Sequence, residues 1–209
     1  MRTRGMACLF VALSLAGMTL ACARTQLCAG AGGQSCATGA NRLACRLANY
    51  GKFQEAALPH LQNLGVRYVF MNVPEAGAVE QEMARLAEHG LKPLVIRANT
   101  DLSKDSSVEE LGQQAALCEK MGVKYMFLSA KRNDAAREVV FDRLRRAGDL
   151  AAKHGVTIAL ETHPDLGTNG DVHLETMKAI NHPNIRVNFD TANITYYNKN
   201  TDALAELKK

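Results

Sequence analysis

Two hydrophobic runs in this chain of 209 residues each end in an acid: TIALE at Glu161 and IRVNFD at Asp190. Thr162 and His163 follow the first, and Thr191, Ala192 and Asn193 follow the second. A carboxylate at the tip of a buried strand is costly unless a cation or hydrogen-bond donors compensate it. Taken singly, each acid could cap a neighbouring loop or pair with Arg97. Taken as a pair converging on one mouth, with His163 alongside, they make half of an oxygen-rich divalent-metal site. His163 lies two residues past Glu161, on the same face of an extended segment. It could contact a substrate hydroxyl or carbonyl, or move a proton, unless it is a surface loop histidine. Arg97 and Lys131 could hold an anionic or polyhydroxy ligand, or serve as surface ion pairs. His60, His89, His154, His173 and His182 read as residues of helices and turns away from that mouth.

The elements that must position these residues alternate from Asn41 onward. Strand-like runs are expected over 43–48, 66–73, 91–98, 123–129, 156–161 and 185–190. Helical periodicity is expected over 53–65, 78–90, 107–122, 133–155 (one helix or two), 171–181 and 201–209. Ser107 with Glu110 three residues later reads as a capping box. Four helices run into a glycine, a hydrophobic residue and a strand, at Gly65, Gly90, Gly122 and Gly155. Glycine takes the left-handed conformation that ends a helix without steric cost.

Strict alternation, with strands read as apolar on both faces, predicts a parallel sheet covered by helices. A doubly wound sheet would lead one to expect a G-x-G-x-x-G turn after the first strand, and NYGKFQE is not one. The pattern therefore predicts an incomplete (β/α) barrel over residues 41–209, with about six of eight units. In such folds the site gathers at the C-terminal strand ends. Those ends are all polar here: Asn49 and Tyr50, Asn72, Arg97, Ser129, Glu161 and Asp190.

The totals suit one globular domain, with 47% hydrophobic and 22% charged residues. The formal net charge of +4 is spread without a basic tract, which argues against nucleic acid as a partner. Residues 1–23, MRTRGMACLFVALSLAGMTLACA, show the basic, apolar and small-residue succession of a secretory signal. Cleavage after Ala23 competes with a rough lipobox that would lipidate Cys22, the one route to a membrane association. The expectation is export to a periplasmic or extracellular location. Residues 24–40 read as a Gly/Ala/Ser-rich linker, in which Cys28 and Cys36 could form a disulfide. No Cys/His spacing suits zinc.

HGVTIALETHPDLGTN, NIRVNFDTANITYYN and the repeated LGVRYVFMNV and MGVKYMFLS units resemble the sugar phosphate isomerases and epimerases of the xylose-isomerase-like TIM barrel superfamily. The resemblance covers residues 41–209. It implies one divalent ion (Mn, Mg, Co or Zn) held by Glu161 and Asp190, completed in the family by a His after strand seven and a Glu after strand eight. It implies that Glu161 also moves a proton next to a substrate carbonyl, through an enediolate, and that His163 contacts a sugar or polyol. Asn193 stands where the epimerases often have a His, which points toward a different polyol or a keto acid. Nothing after Lys209 supplies the last two ligands, so activity is expected to be impaired. Other readings are a non-catalytic carbohydrate-binding or structural remnant, and a hydrolase, lyase or zinc-dependent abasic-site endonuclease of the same fold. Homo-oligomerisation is left open.

Overall fold

The structure, a computed structural model, describes residues 41–209. The signal-peptide and linker readings of residues 1–40, and the Cys28–Cys36 disulfide, lie outside the described residues.

Six strands form one sheet: β1 (Ala44–Arg46), β2 (Tyr68–Asn72), β3 (Lys92–Arg97), β4 (Tyr125–Leu128), β5 (Thr157–Glu161) and β6 (Ile185–Asn188). Every neighbouring pair is parallel, and the spatial order is the chain order. A doubly wound sheet reverses its order at a switch point; a barrel winds on in one direction. The sheet is thus a six-strand arc of a (β/α) barrel. Between strands run α1 (Ala57–Asn63), α2 (Val79–Glu88), α3 (Ser107–Lys120), α4 (Arg137–Lys153) and α5 (Gly170–Ile180). After β6 come α6 (Thr191–Tyr197) and α7 (Ala203–Leu207).

The core lies between the helices and the outer face of the sheet. Val69, Ile96, Met126, Ile158 and Leu160 point outward and pack in one buried cluster with Leu61, Leu86, Leu111 and Leu144. Each such side chain contributes about 1.5–3 kcal/mol of burial. The inner face differs from the expectation of strands apolar on both sides. Its central row reads Arg97, Phe127, Ala159, Arg186 across β3 to β6. The Phe70 ring packs on Phe127 at 5.2 Å, and the Arg46 guanidinium lies over Phe70 at 5.4 Å. Tyr125 on that face stays 53% exposed. The predicted glycine turns are in place: Gly65, Gly90, Gly122 and Gly155 have φ of 71°, 65°, 68° and 65°.

Local details depart from the sequence reading for physical reasons. β1 ends at Arg46, and Leu47–Ala56 is an irregular 3₁₀ segment broken at Gly51 (φ 51°, ψ −120°) before α1 begins. The predicted helix over 53–65 is correspondingly shorter. Residues 133–155 hold one helix, begun only at Arg137. The capping box is not formed. Ser107 is already helical and buried with its hydroxyl unpartnered, while Glu110 accepts a hydrogen bond from the Thr100 hydroxyl at 2.6 Å. The tertiary partner outcompetes the local one.

Candidate active site

Glu161 ends β5, opposite Asn188 of β6. The ladder continues one step beyond, where the Thr162 amide donates to the Asn188 carbonyl at 3.1 Å. Asp190 is not the last residue of its strand, as the apolar run suggested; β6 stops at Asn188. Asp190 instead caps α6, a helix the periodicity did not reveal. Its Oδ1 accepts the amides of Ala192 at 2.8 Å and Asn193 at 3.0 Å. This is the ordinary means of satisfying free N–H groups at a helix start.

Asn193 then ties the two acids together. Its side-chain amide donates to Glu161 Oε1 at 3.2 Å and to the Thr162 carbonyl at 2.9 Å. Fixed donors therefore compensate both carboxylates, and among the described residues no cation pairs with either. The capping alternative holds for one oxygen of Asp190; pairing with Arg97 does not occur. Asp190 Oδ2 and Glu161 Oε2 have no hydrogen-bond partner among the described residues.

His163 is held from two sides. Nδ1 lies 2.7 Å from the Pro164 carbonyl, which can only accept, so Nδ1 carries the proton. Nε2 is then the acceptor for the Tyr197 hydroxyl at 3.2 Å, with the two rings 5.0 Å apart. The imidazole thus faces α6. Arg97, at the end of β3, has a buried Nε without a partner, and Lys131 is exposed with no described ion pair. The structure brings Glu161, Asp190 and Asn193 together, and among the described residues no hydrogen bond or ion pair joins Arg97 or Lys131 to them.

Other residues escaped the sequence reading. Arg132 grips Asp165 through Nε at 2.8 and 2.9 Å and through its backbone amide at 3.0 Å, joining the loops after β4 and β5. Thr162, fully buried, receives the Asp190 amide on its hydroxyl at 3.0 Å. His173, read as a helix-side residue, is buried with Nε2 3.3 Å from that hydroxyl. A buried threonine beside a strand-end acid was the available signal, since it needs partners that periodicity cannot name. His182 does sit at the helix-to-strand turn, against Asp149.

Among the described residues no three His, Cys, Asp or Glu side chains gather as metal donors. The hard oxygen chemistry of Glu161 and Asp190, each with one oxygen free, fits part of a divalent-cation shell and does not complete it.

Residues 48–209 match the family described as the xylose isomerase-like TIM barrel. The chain belongs to this family. No curated protein matches it by sequence. Among solved structures, this barrel is similar to the probable 3-DHS dehydratase AsbF of Bacillus anthracis, with 20% identity, TM-score 0.65, and coverage of 80% of this chain and 69% of that one. An L-ribulose 3-epimerase has 16% identity, TM-score 0.65, and coverage of 81% and 66%. The IOLI protein, solved with a zinc atom, has 20% identity, TM-score 0.61, and coverage of 78% and 68%. Such identities establish the shared fold. The chain spans about two thirds of the length of the structures it matches, 64% to 69%.

Proposed function

We propose that this barrel is a sugar- or polyol-processing isomerase or epimerase, possessing at least part of a divalent-metal site. The observation that carries the reading is the pair Glu161 and Asp190, bridged by Asn193 at the strand mouth, each acid keeping one oxygen free. Neighbours of the same fold include an epimerase and a structure with zinc. A divalent ion held there by Glu161 and Asp190 would polarise a substrate carbonyl and stabilise charge on its oxygen.

This chain's own groups supply the proton chemistry. The Glu161 carboxylate takes the proton from the carbon next to the carbonyl, the C–H electrons forming the enediolate double bond. Glu161 returns the proton to the neighbouring carbon on the same face while the adjacent hydroxyl passes its proton to the former carbonyl oxygen, which interconverts aldose and ketose with one carboxylate base. Inversion at a single carbon needs a second base on the opposite face. His163, with Nε2 as acceptor, would receive a hydrogen bond from a substrate hydroxyl in place of Tyr197. Asn193 orients Glu161, and Arg97 and Lys131 would reach an extended or anionic substrate. Export, on the pattern of residues 1–23, belongs to the same reading.

A non-catalytic carbohydrate-binding or structural role is the second reading. It is favoured by the lack of a third His, Cys, Asp or Glu donor beside the pair among the described residues. Titration calorimetry with Mn²⁺, followed by ketose isomerisation assays, separates the two. Parent binding that Glu161→Gln/Asp190→Asn abolishes, with turnover lost by about 10²-fold or more in Glu161→Gln, supports the enzyme. A folded parent that neither binds Mn²⁺ nor turns over ketoses leaves the second reading.

A further inference from the structure

The Thr162 hydroxyl sits between the two acids with every hydrogen-bonding capacity used. It lies 3.0 Å from the Asp190 amide, 3.3 Å from His173 Nε2 and 3.4 Å from the Asn188 carbonyl. A hydroxyl offers one donor and two lone pairs. The carbonyl can only accept and the amide can only donate, so Thr162 donates to Asn188 and accepts from Asp190. Its remaining lone pair requires His173 to present Nε2–H. That tautomer leaves Nδ1 as an unprotonated acceptor, consistent with its burial without a partner. The opposite tautomer would bury an unpaired N–H, the costlier omission. Burial also holds the His173 pKa below its ordinary value, keeping the ring neutral.

The ring itself is wedged in place. A Cβ at Gly167 would overlap His173 Cε1 and come 2.8 Å from the Glu161 carbonyl oxygen. The same loop is tied to α5 by the Thr176 hydroxyl, which donates to the Leu166 carbonyl at 2.8 Å. α5 therefore reaches the β5 and β6 ends through one imidazole and one hydroxyl.

We infer that Thr162 and His173 are positioning residues: a buried lock, built from α5, that fixes where Asp190 stands relative to Glu161. The inference takes its functional weight from the carboxylate-pair reading above. Neither residue touches substrate; His173 acts through Thr162, and Thr162 acts through the Asp190 backbone.

Amide hydrogen exchange by NMR on the full chain tests the lock without any metal. In Thr162→Val, which keeps the shape and removes the hydroxyl, the Asp190 amide should exchange roughly tenfold faster while amides of β3 are unchanged. Thr162→Ser should restore protection, and His173→Phe should shift Asp190 in the same direction as Thr162→Val. Long-range ¹H–¹⁵N spectra of the parent should show His173 protonated at Nε2. Unchanged Asp190 exchange in both Thr162→Val and His173→Phe, acceleration shared equally by β3, or an Nδ1–H tautomer would overturn the lock. Mn²⁺ titration is read separately. Affinity about 10–100-fold weaker in Thr162→Val than in the parent ties the lock to the site. A parent that binds no Mn²⁺ sinks the metal reading, while exchange still decides the lock.

Discussion

Asp190 caps α6 with one oxygen and, on the proposed reading, offers the other to a metal ion, and substitution can separate the two roles. Oδ1 caps α6, while Oδ2 is free of described partners. Asparagine is also a good cap, so Asp190→Asn should keep the stability of the parent in urea denaturation and lose Mn²⁺ binding. Asp190→Ala should lose both, the cap costing about 0.5–2 kcal/mol. His173 makes a second residue-level prediction. Its folded pKa is depressed by burial from a value of 6.5, so the unfolded chain binds the proton first as pH falls. Its contribution to stability is full above about pH 6.5 and is lost below it as the unfolded chain takes up the proton. Urea midpoints measured from pH 8 to pH 5 should fall, and His173→Phe should flatten that fall. Cys118, buried in α3 with its thiol pushed up to about 12, is too deeply held to take part in such chemistry.

Two glycines, in α3 and α4, set how closely neighbouring segments approach these helices, and they differ in what surrounds them. A Cβ at Gly148 of α4 would stand 2.5 Å from His182 Nδ1, in a ring already fixed by Asp149 and the Asn184 amide. A Cβ at Gly112 of α3 would meet Leu150 Cδ1 at 2.7 Å, the far end of a flexible side chain. Gly148→Ala should therefore destabilise by about 1–3 kcal/mol in thermal or urea unfolding. Gly112→Ala should cost less, because Leu150 can turn away and alanine gains about 1 kcal/mol of helix propensity over glycine. The glycines that end helices were legible as punctuation. The reason for these mid-helix glycines lies across an interface that a linear pattern does not contain.

The molecule as described has a sheet whose first and last strands, β1 and β6, each pair with one neighbour. Val187 of β6 is 37% exposed, Leu174 of α5 is 38% exposed and Leu207 of α7 is 55% exposed. An exposed strand edge next to apolar surface invites pairing between copies. Sedimentation velocity should show association that grows with concentration, and Val187→Lys, placing a charge on the edge strand, should reduce it. Unchanged sedimentation in Val187→Lys would place any association elsewhere.

The barrel architecture and the six strands were readable from residue order alone. Hydrophobic periodicity and the glycine at each helix end are local consequences of backbone sterics, written into a few adjacent residues. The acids were readable too, because a carboxylate after an apolar run is conspicuous wherever it falls. What those acids touch was not readable. Asn193 reaches Glu161 across 32 positions of sequence, His173 reaches Thr162 across 11, and Arg132 reaches Asp165 across 33. The capping role of Asp190, the missing Ser107 cap and the turning of His163 toward Tyr197 follow from competition among hydrogen-bond partners. That competition is resolved only when the strands lie side by side, because hydrogen bonding is short-ranged and directional and chain order does not encode which polar groups meet.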